Sequence, residues 1–224
     1  MTVLRFIAIR RVMEAIVQKL IIYAVPILFG LTVHEYAHGF VADRLGDPTP
    51  REMGRLTLNP LAHLDLVGTL VFFATQAFGW AKPISINTDN LAAPRRYMMW
   101  IALAGPVANF LLALFCALLY HLLNFLAIIR IVSSGWLFVP FQQMLVAGVL
   151  VNISLGLINL IPIPPLDGGR ILAGILPEKA SGYLEKIDSY GAIILIILVL
   201  SNSLNLFLFP VLSIFTGFLL YGVR

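Results

Sequence analysis

The chain has 224 residues, of which 60% are hydrophobic and only 12% charged, and its mean hydropathy of +0.94 lies far above that of a soluble globular domain. So much apolar material excludes disorder, and the single cysteine, Cys116, excludes a disulfide scaffold. The net charge of +4 includes 15 Lys and Arg scattered between apolar runs, which argues against a nucleic-acid face and for anionic lipid headgroups.

A bilayer core of roughly 30 Å asks for about 20 apolar residues in a helix. The stretch before Leu20 carries Arg5, Arg10, Arg11 and Lys19 and no small-residue cleavage site ahead of a long apolar run, so no cleavable signal peptide is expected. Stretches long enough to cross run from about 20 to 41, 97 to 125, 137 to 161 and 191 to 221. Ser201, Asn202 and Ser203 interrupt the last of these, which is either one tilted helix or two short ones. A fifth stretch, about 66 to 80, is too short to cross and reads as re-entrant or interfacial. Beside it, the alternating runs 55–59 and 83–87 read as short edge strands. The expected fold is an all-α integral membrane protein: a polytopic bundle of four to five spans, one domain over 1–224, with its core at 20–170 and a C-terminal hairpin or long helix at 190–222.

Inside the first span sits His34-Glu35-Tyr36-Ala37-His38. Histidines at i and i+4 share one helical face and grip one zinc ion, while Glu35 is placed to take a proton from a water that zinc acidifies. The competing reading is a helix end whose His and Glu reach the headgroups. Three ionisable groups within one turn of a span are costly unless they bind something, which favours the metal.

Tetrahedral zinc with two histidines and a water lacks one protein ligand. The third span ends in Asn159-Leu160-Ile161-Pro162-Ile163-Pro164-Pro165-Leu166-Asp167-Gly168-Gly169-Arg170, where three prolines forbid a continuous helix. Unwound backbone at membrane depth must be surrounded by protein or line a cavity, so Asp167 is free to project as a ligand, with two glycines allowing a close turn behind it. An ordinary helix exit with an Asp-Gly turn is the bland alternative. The histidine pair tips the choice to Asp167, although Asp43, Asp47, Glu52, Asp65, Asp89 and Asp188 also lie near the membrane.

These motifs, with Ala104-Gly105-Pro106 at the start of the second span, resemble the site-2 protease family of intramembrane metalloproteases, over about 20 to 170. The runs GRLTLNPLAHLDLVGTL and GWAKPISIN are similar to the compact bacterial branch, which has no PDZ or CBS domain. The resemblance implies zinc on His34, His38 and Asp167, Glu35 as base, and Asn159 holding substrate or polarising its carbonyl. It implies regulated intramembrane proteolysis: an endopeptidase cutting in or near the transmembrane segment of another membrane protein.

If Asp167 meets the histidines, the end of the first span, the start of the second and the end of the third share one side of the membrane. That side carries more Lys and Arg than the other, so it is expected to face the cytoplasm, in a bacterial cell membrane. In the loop between the first two spans, Asn59, His63, Ile84 and Ile86 are candidate substrate contacts, with extended backbone near Leu56 and Ile84 capturing an unwound peptide by strand addition. For His63 with Asp65 a satisfied loop pair is the alternative, and Asn109 and Asn152 read as glue between helices. His121 reads as interfacial. The alternative function is a non-catalytic membrane metal-binding protein or a divalent metal transporter. Nothing in the sequence fixes an oligomeric state.

Overall fold

A computed structural model of the chain describes residues 2–65, 68, 82–129, 131 and 137–222. Helices in the described residues include α1 (Thr2–Arg44), α2 (Thr49–Glu52), α3 (Pro94–Ile128), α4 (Phe138–Asn159), α5 (Asp167–Ile175), α6 (Glu178–Leu200) and α7 (Ser203–Tyr221). Short 3-10 turns at Pro60–Ala62 and Thr88–Asn90 lie between α2 and α3. Among the described residues, three segments are long and apolar enough to cross a membrane: Leu20–Arg44, Pro94–Ile128 and Phe138–Asn159. The protein is therefore a multi-pass helical membrane protein, and α3 turns Leu111, Phe115, Leu118 and Phe125 outward as lipid-facing surface.

The three crossing helices pack where small residues let them. A Cβ on Gly148 would meet Cys116 Sγ at 2.8 Å, and one on Gly156 would meet the Phe110 ring at 2.8 Å, so α3 and α4 run antiparallel in close contact. Helix α1 runs antiparallel to α3 as well, because His34 and His38 meet Asn109 and Ile101 in reverse order. Ala113, Ala117, Val149, Ile153 and Leu220 form the core shared by α3, α4 and α7. The apolar tail is two helices broken at Ser201-Asn202, with Asn202 at φ 58 in the left-handed region that Asn tolerates.

Two expectations need correction or fall outside view. Among the described residues there is no strand element: 55–59 and 83–87 are irregular, with extended dihedrals at Asn59 and Asn87. The reason is that side chains replace a ladder. The buried Arg55 guanidinium donates to the carbonyls of Ala62, Lys82 and Pro83. Asn59 and Asn87 side chains accept from Leu61 N and Asp89 N, starting the 3-10 turns. A backbone bond, Lys82 N to His63 O at 2.9 Å, joins the residues after the first run to those just before the second. The re-entrant stretch 66–80 lies, apart from Gly68, outside the described residues.

Candidate metal centre

The chain leaves α4 at Asn159, and Pro162, Pro164 and Pro165 keep it from resuming a helix until Asp167. Helix α5 then starts hard against the preceding backbone. A Cβ on Gly168 would lie 2.5 Å from Leu160 O, and one on Gly169 would lie 2.6 Å from Pro164 N, so only glycine permits this fold-back. The result carries the Asp167 carboxylate to α1. Its Oδ2 lies 3.1 Å from His34 Nε2 and 3.3 Å from His38 Nε2, and the two Nε2 atoms are 3.0 Å apart. All three side chains are buried.

The far side of each ring fixes its proton. His38 Nδ1 lies 2.7 Å from the Ile101 carbonyl, which only accepts. His34 Nδ1 lies 2.6 Å from Asn109 Oδ1. The Asn109 amide is oriented by its own nitrogen, which donates to Gly30 O at 3.1 Å and to Asn152 Oδ1 at 2.9 Å. Asn152 in turn donates to Gly148 O at 2.8 Å. Both Nδ1 atoms are therefore donors, and both Nε2 atoms turn lone pairs toward each other and toward a carboxylate oxygen.

Three converging lone pairs in a dry pocket repel unless a cation sits among them. Asp167 Oδ2 is buried with no hydrogen-bond donor to serve it, which suits an oxygen that ligates a cation. Two ligand atoms about 2.0–2.1 Å from zinc at a tetrahedral angle lie roughly 3.3–3.4 Å apart, close to the spacings seen here. Backbone carbonyl and amide partners behind the imidazoles are the usual outer support of a metal site. Among the described residues, His34, His38 and Asp167 are the His, Cys, Asp and Glu side chains grouped closely enough to hold an ion. Gly105 seals the cradle from α3: a Cβ there would lie 2.5 Å from His34 Cε1 and from His38 Nε2.

Glu35, half-buried beside the ligands, accepts the backbone N–H of Ile84 on Oε2 at 3.0 Å. Ile84 packs its side chain toward Gly39 of α1, and Ile86 packs beside Ala42, Leu91 and Ile101. Asp47, fully buried, accepts from Asn87 N, Asn90 Nδ2 and both the N–H and hydroxyl of Thr49, pinning the other end of this extended strip.

The remaining sequence candidates take other places. Asn159 donates one amide N–H to Leu155 O at 3.0 Å within its own helix. Exposed Asn59 serves as a turn cap, and buried His63 bonds Thr57 O through Nε2 at 2.8 Å. Asp43 pairs with Arg51, and Asp65 accepts from Gly68 N. His121 reaches Leu219 O of α7. Asn109 and Asn152, read from sequence as helix glue, do bridge helices, but the bridge ends on a candidate ligand. The signal lay in the spacing of Gly105 and Asn109, which share a face of α3 at i and i+4.

A membrane-embedded helical bundle that brings two histidines, an aspartate and an adjacent glutamate together is built as an intramembrane metallopeptidase. Comparison with known proteins agrees. The profile of Peptidase family M50 matches residues 22–201, and the chain belongs to that family. It is 34% identical over 192 residues to "Putative zinc metalloprotease YwhC" of Bacillus subtilis (strain 168), covering 84% of each chain. It is 30% identical over 193 residues to "Putative zinc metalloprotease Rip2" of Mycobacterium tuberculosis (strain ATCC 25618 / H37Rv), covering 82% of this chain and 68% of the relative. No solved structure matches.

Proposed function

We propose that the protein is an intramembrane zinc endopeptidase that hydrolyses a peptide bond in or next to the transmembrane segment of another membrane protein. The observation that carries this is the convergence of His34, His38 and Asp167 beside Glu35 within the helical bundle. His34, His38 and Asp167 hold the ion. Bound zinc supplies Lewis acidity, polarising the scissile carbonyl and acidifying water. Glu35 takes the proton of the attacking water and passes it to the leaving amine. The Ile84 N–H holds the Glu35 carboxylate in place, which keeps its proton-accepting oxygens oriented.

An Asn amide has two N–H donors. Since Asn159 uses one on Leu155 O, its other is available to the carbonyl oxygen of the substrate as negative charge develops there. A helical substrate must unwind before its carbonyls are reachable. The extended strip at Ser85 and Ile86, whose backbone groups bond no other described residue, offers hydrogen bonds to such an unwound segment. Asn59 and His63 serve this strip from a distance by shaping the loop that precedes it.

In the bilayer, we infer one domain over the chain, with α6 and α7 adding one or two crossings to the three long helices, whose metal-bearing ends share one face. The surplus of Lys and Arg on that face supports a cytoplasmic orientation in a bacterial cell membrane. Reconstituted protein with a single-span candidate substrate tests the function: zinc-dependent cleavage near the membrane is expected, and transport of zinc without cleavage would replace this reading with a carrier.

A further inference from the structure

Away from the metal, a cavity of about 700 Å³ opens between the start of α3, the Pro164–Arg170 segment and the start of α6. Arg95 and Arg170 line it together with Glu178, Ser181 and Thr88, and Met98, Leu166 and Leu184 supply apolar wall. Arg95 is fixed by its Nε, which donates to Ala173 O at 2.8 Å, leaving its outer nitrogens unused. Arg170 is exposed and bonds no described residue. The Ser181 side chain is buried, 6% exposed, and its hydroxyl has no partner among the described residues. Among the described lining residues, two guanidiniums stand against one carboxylate, with hydroxyl donors beside them.

The cavity also stands at a definite depth. Arg95 precedes the outward-facing Trp100 of α3 by five residues, about 7.5 Å along the helix. Outward-facing Trp is enriched at the boundary between acyl chains and headgroups, which sets Arg95 at headgroup level, one to two turns outside Ile101, whose carbonyl supports His38. We infer that this cavity binds the headgroup of an anionic phospholipid, its phosphate between Arg95 and Arg170, its polar head toward Ser181, and its chains against the apolar wall. Arg170 belongs to the same short helix as Asp167, so an occupied site braces the segment that presents the carboxylate to the histidines. The binding does not depend on whether the chain cleaves peptides.

The test uses the full chain, reconstituted in phosphatidylcholine vesicles containing a minority of phosphatidylglycerol and then examined for retained lipid by native mass spectrometry. Wild type is expected to retain phosphatidylglycerol in preference to phosphatidylcholine. Arg95→Gln and Arg170→Gln should each lower that retention about fivefold. Glu178→Gln should raise it, and millimolar inorganic phosphate should not displace the lipid. Equal retention of both lipids by wild type, or unchanged retention in folded arginine variants, overturns the site. Displacement by inorganic phosphate overturns the lipid source, and a loss on Glu178→Gln points instead to a zwitterionic headgroup. Should the arginine variants not fold, the wild-type preference and the Glu178 variant decide.

Discussion

Asn109 Oδ1 accepts from His34 Nδ1 at 2.6 Å, although 75 residues separate them in the chain. The bond fixes which nitrogen of His34 carries its proton, and Asn152 fixes Asn109 in turn. Replacing Asn109 with Leu removes the acceptor while keeping bulk. Zinc affinity should fall about 10- to 100-fold, as for other outer-shell partners of metal-bound histidines. Competition with a chromophoric chelator reads this directly, and an unchanged affinity would show that His34 needs no partner behind it.

Glu35→Gln separates the metal from the chemistry. The amide still accepts the Ile84 N–H, so the fold and the strip should persist. Zinc content should stay near wild type while cleavage drops by at least about 100-fold, the usual contribution of a positioned base. Asp167→Ala should do the reverse: it removes a proposed ligand and lowers zinc content itself. Zinc measured per chain in both variants, beside a cleavage assay, distinguishes the two roles.

The grouping of His34, His38 and Asp167 was legible in the sequence because each part carries a local signature. His34 and His38 share a helical face by spacing alone, and the prolines before Asp167 announce unwound backbone where the membrane tolerates little of it. The helices were legible for the same reason, as was the polar break at Ser201-Asn202. What surrounds the triad was less so. An intramembrane Asn looks the same whether it joins two helices or orients a histidine, and Asn109 does both. Alternation at 55–59 and 83–87 suggested edge strands that did not form, because it could not say that an arginine side chain would take the place of a neighbouring strand. That pairing is non-local, and periodicity carries no information about it.

Gly105→Ala should damage the metal centre without touching a ligand. The added methyl would lie 2.5 Å from both imidazoles, and α3 is held at that distance by the Asn109 and Ile101 contacts on either side. The rings must turn or the helices part. Zinc content should fall well below that of wild type while helical content by circular dichroism remains, and a variant with full zinc occupancy would mean that the helices slide apart easily.

Asp47 gives the fold an acid-sensitive pin outside the spans. Burial pushes its carboxyl toward higher pKa, but the Thr49 hydroxyl, the Asn90 amide and the N–H groups of Asn87 and Thr49 outweigh burial and hold it below the ordinary carboxylate range. A folded-state pKa below the unfolded one stabilises the protein above the unfolded value of about 3.9, and that stabilisation disappears as pH falls through the folded value. Asp47→Asn should therefore melt below wild type at neutral pH, with the gap closing as the pH drops beneath about 4. Melting temperatures across this range, in one detergent, follow the gap; a constant difference would mean that the charge is irrelevant.

Arg55 offers the sharpest test of how the strip beside Glu35 is held. Its buried guanidinium reaches carbonyls on both sides of the intervening loop, at Ala62 and at Lys82 and Pro83, with no carboxylate against it among the described residues. Arg55→Leu leaves those carbonyls without their donor, a cost of about 1–3 kcal/mol for each that stays buried. Lysine keeps the charge but cannot span the same fork, so Arg55→Lys should recover only part of the loss. Because the strip positions Glu35 and not the ligands, both variants should bind zinc normally while cleavage falls in the order wild type, Lys, Leu. Parallel loss of zinc would instead tie Arg55 to the metal centre itself.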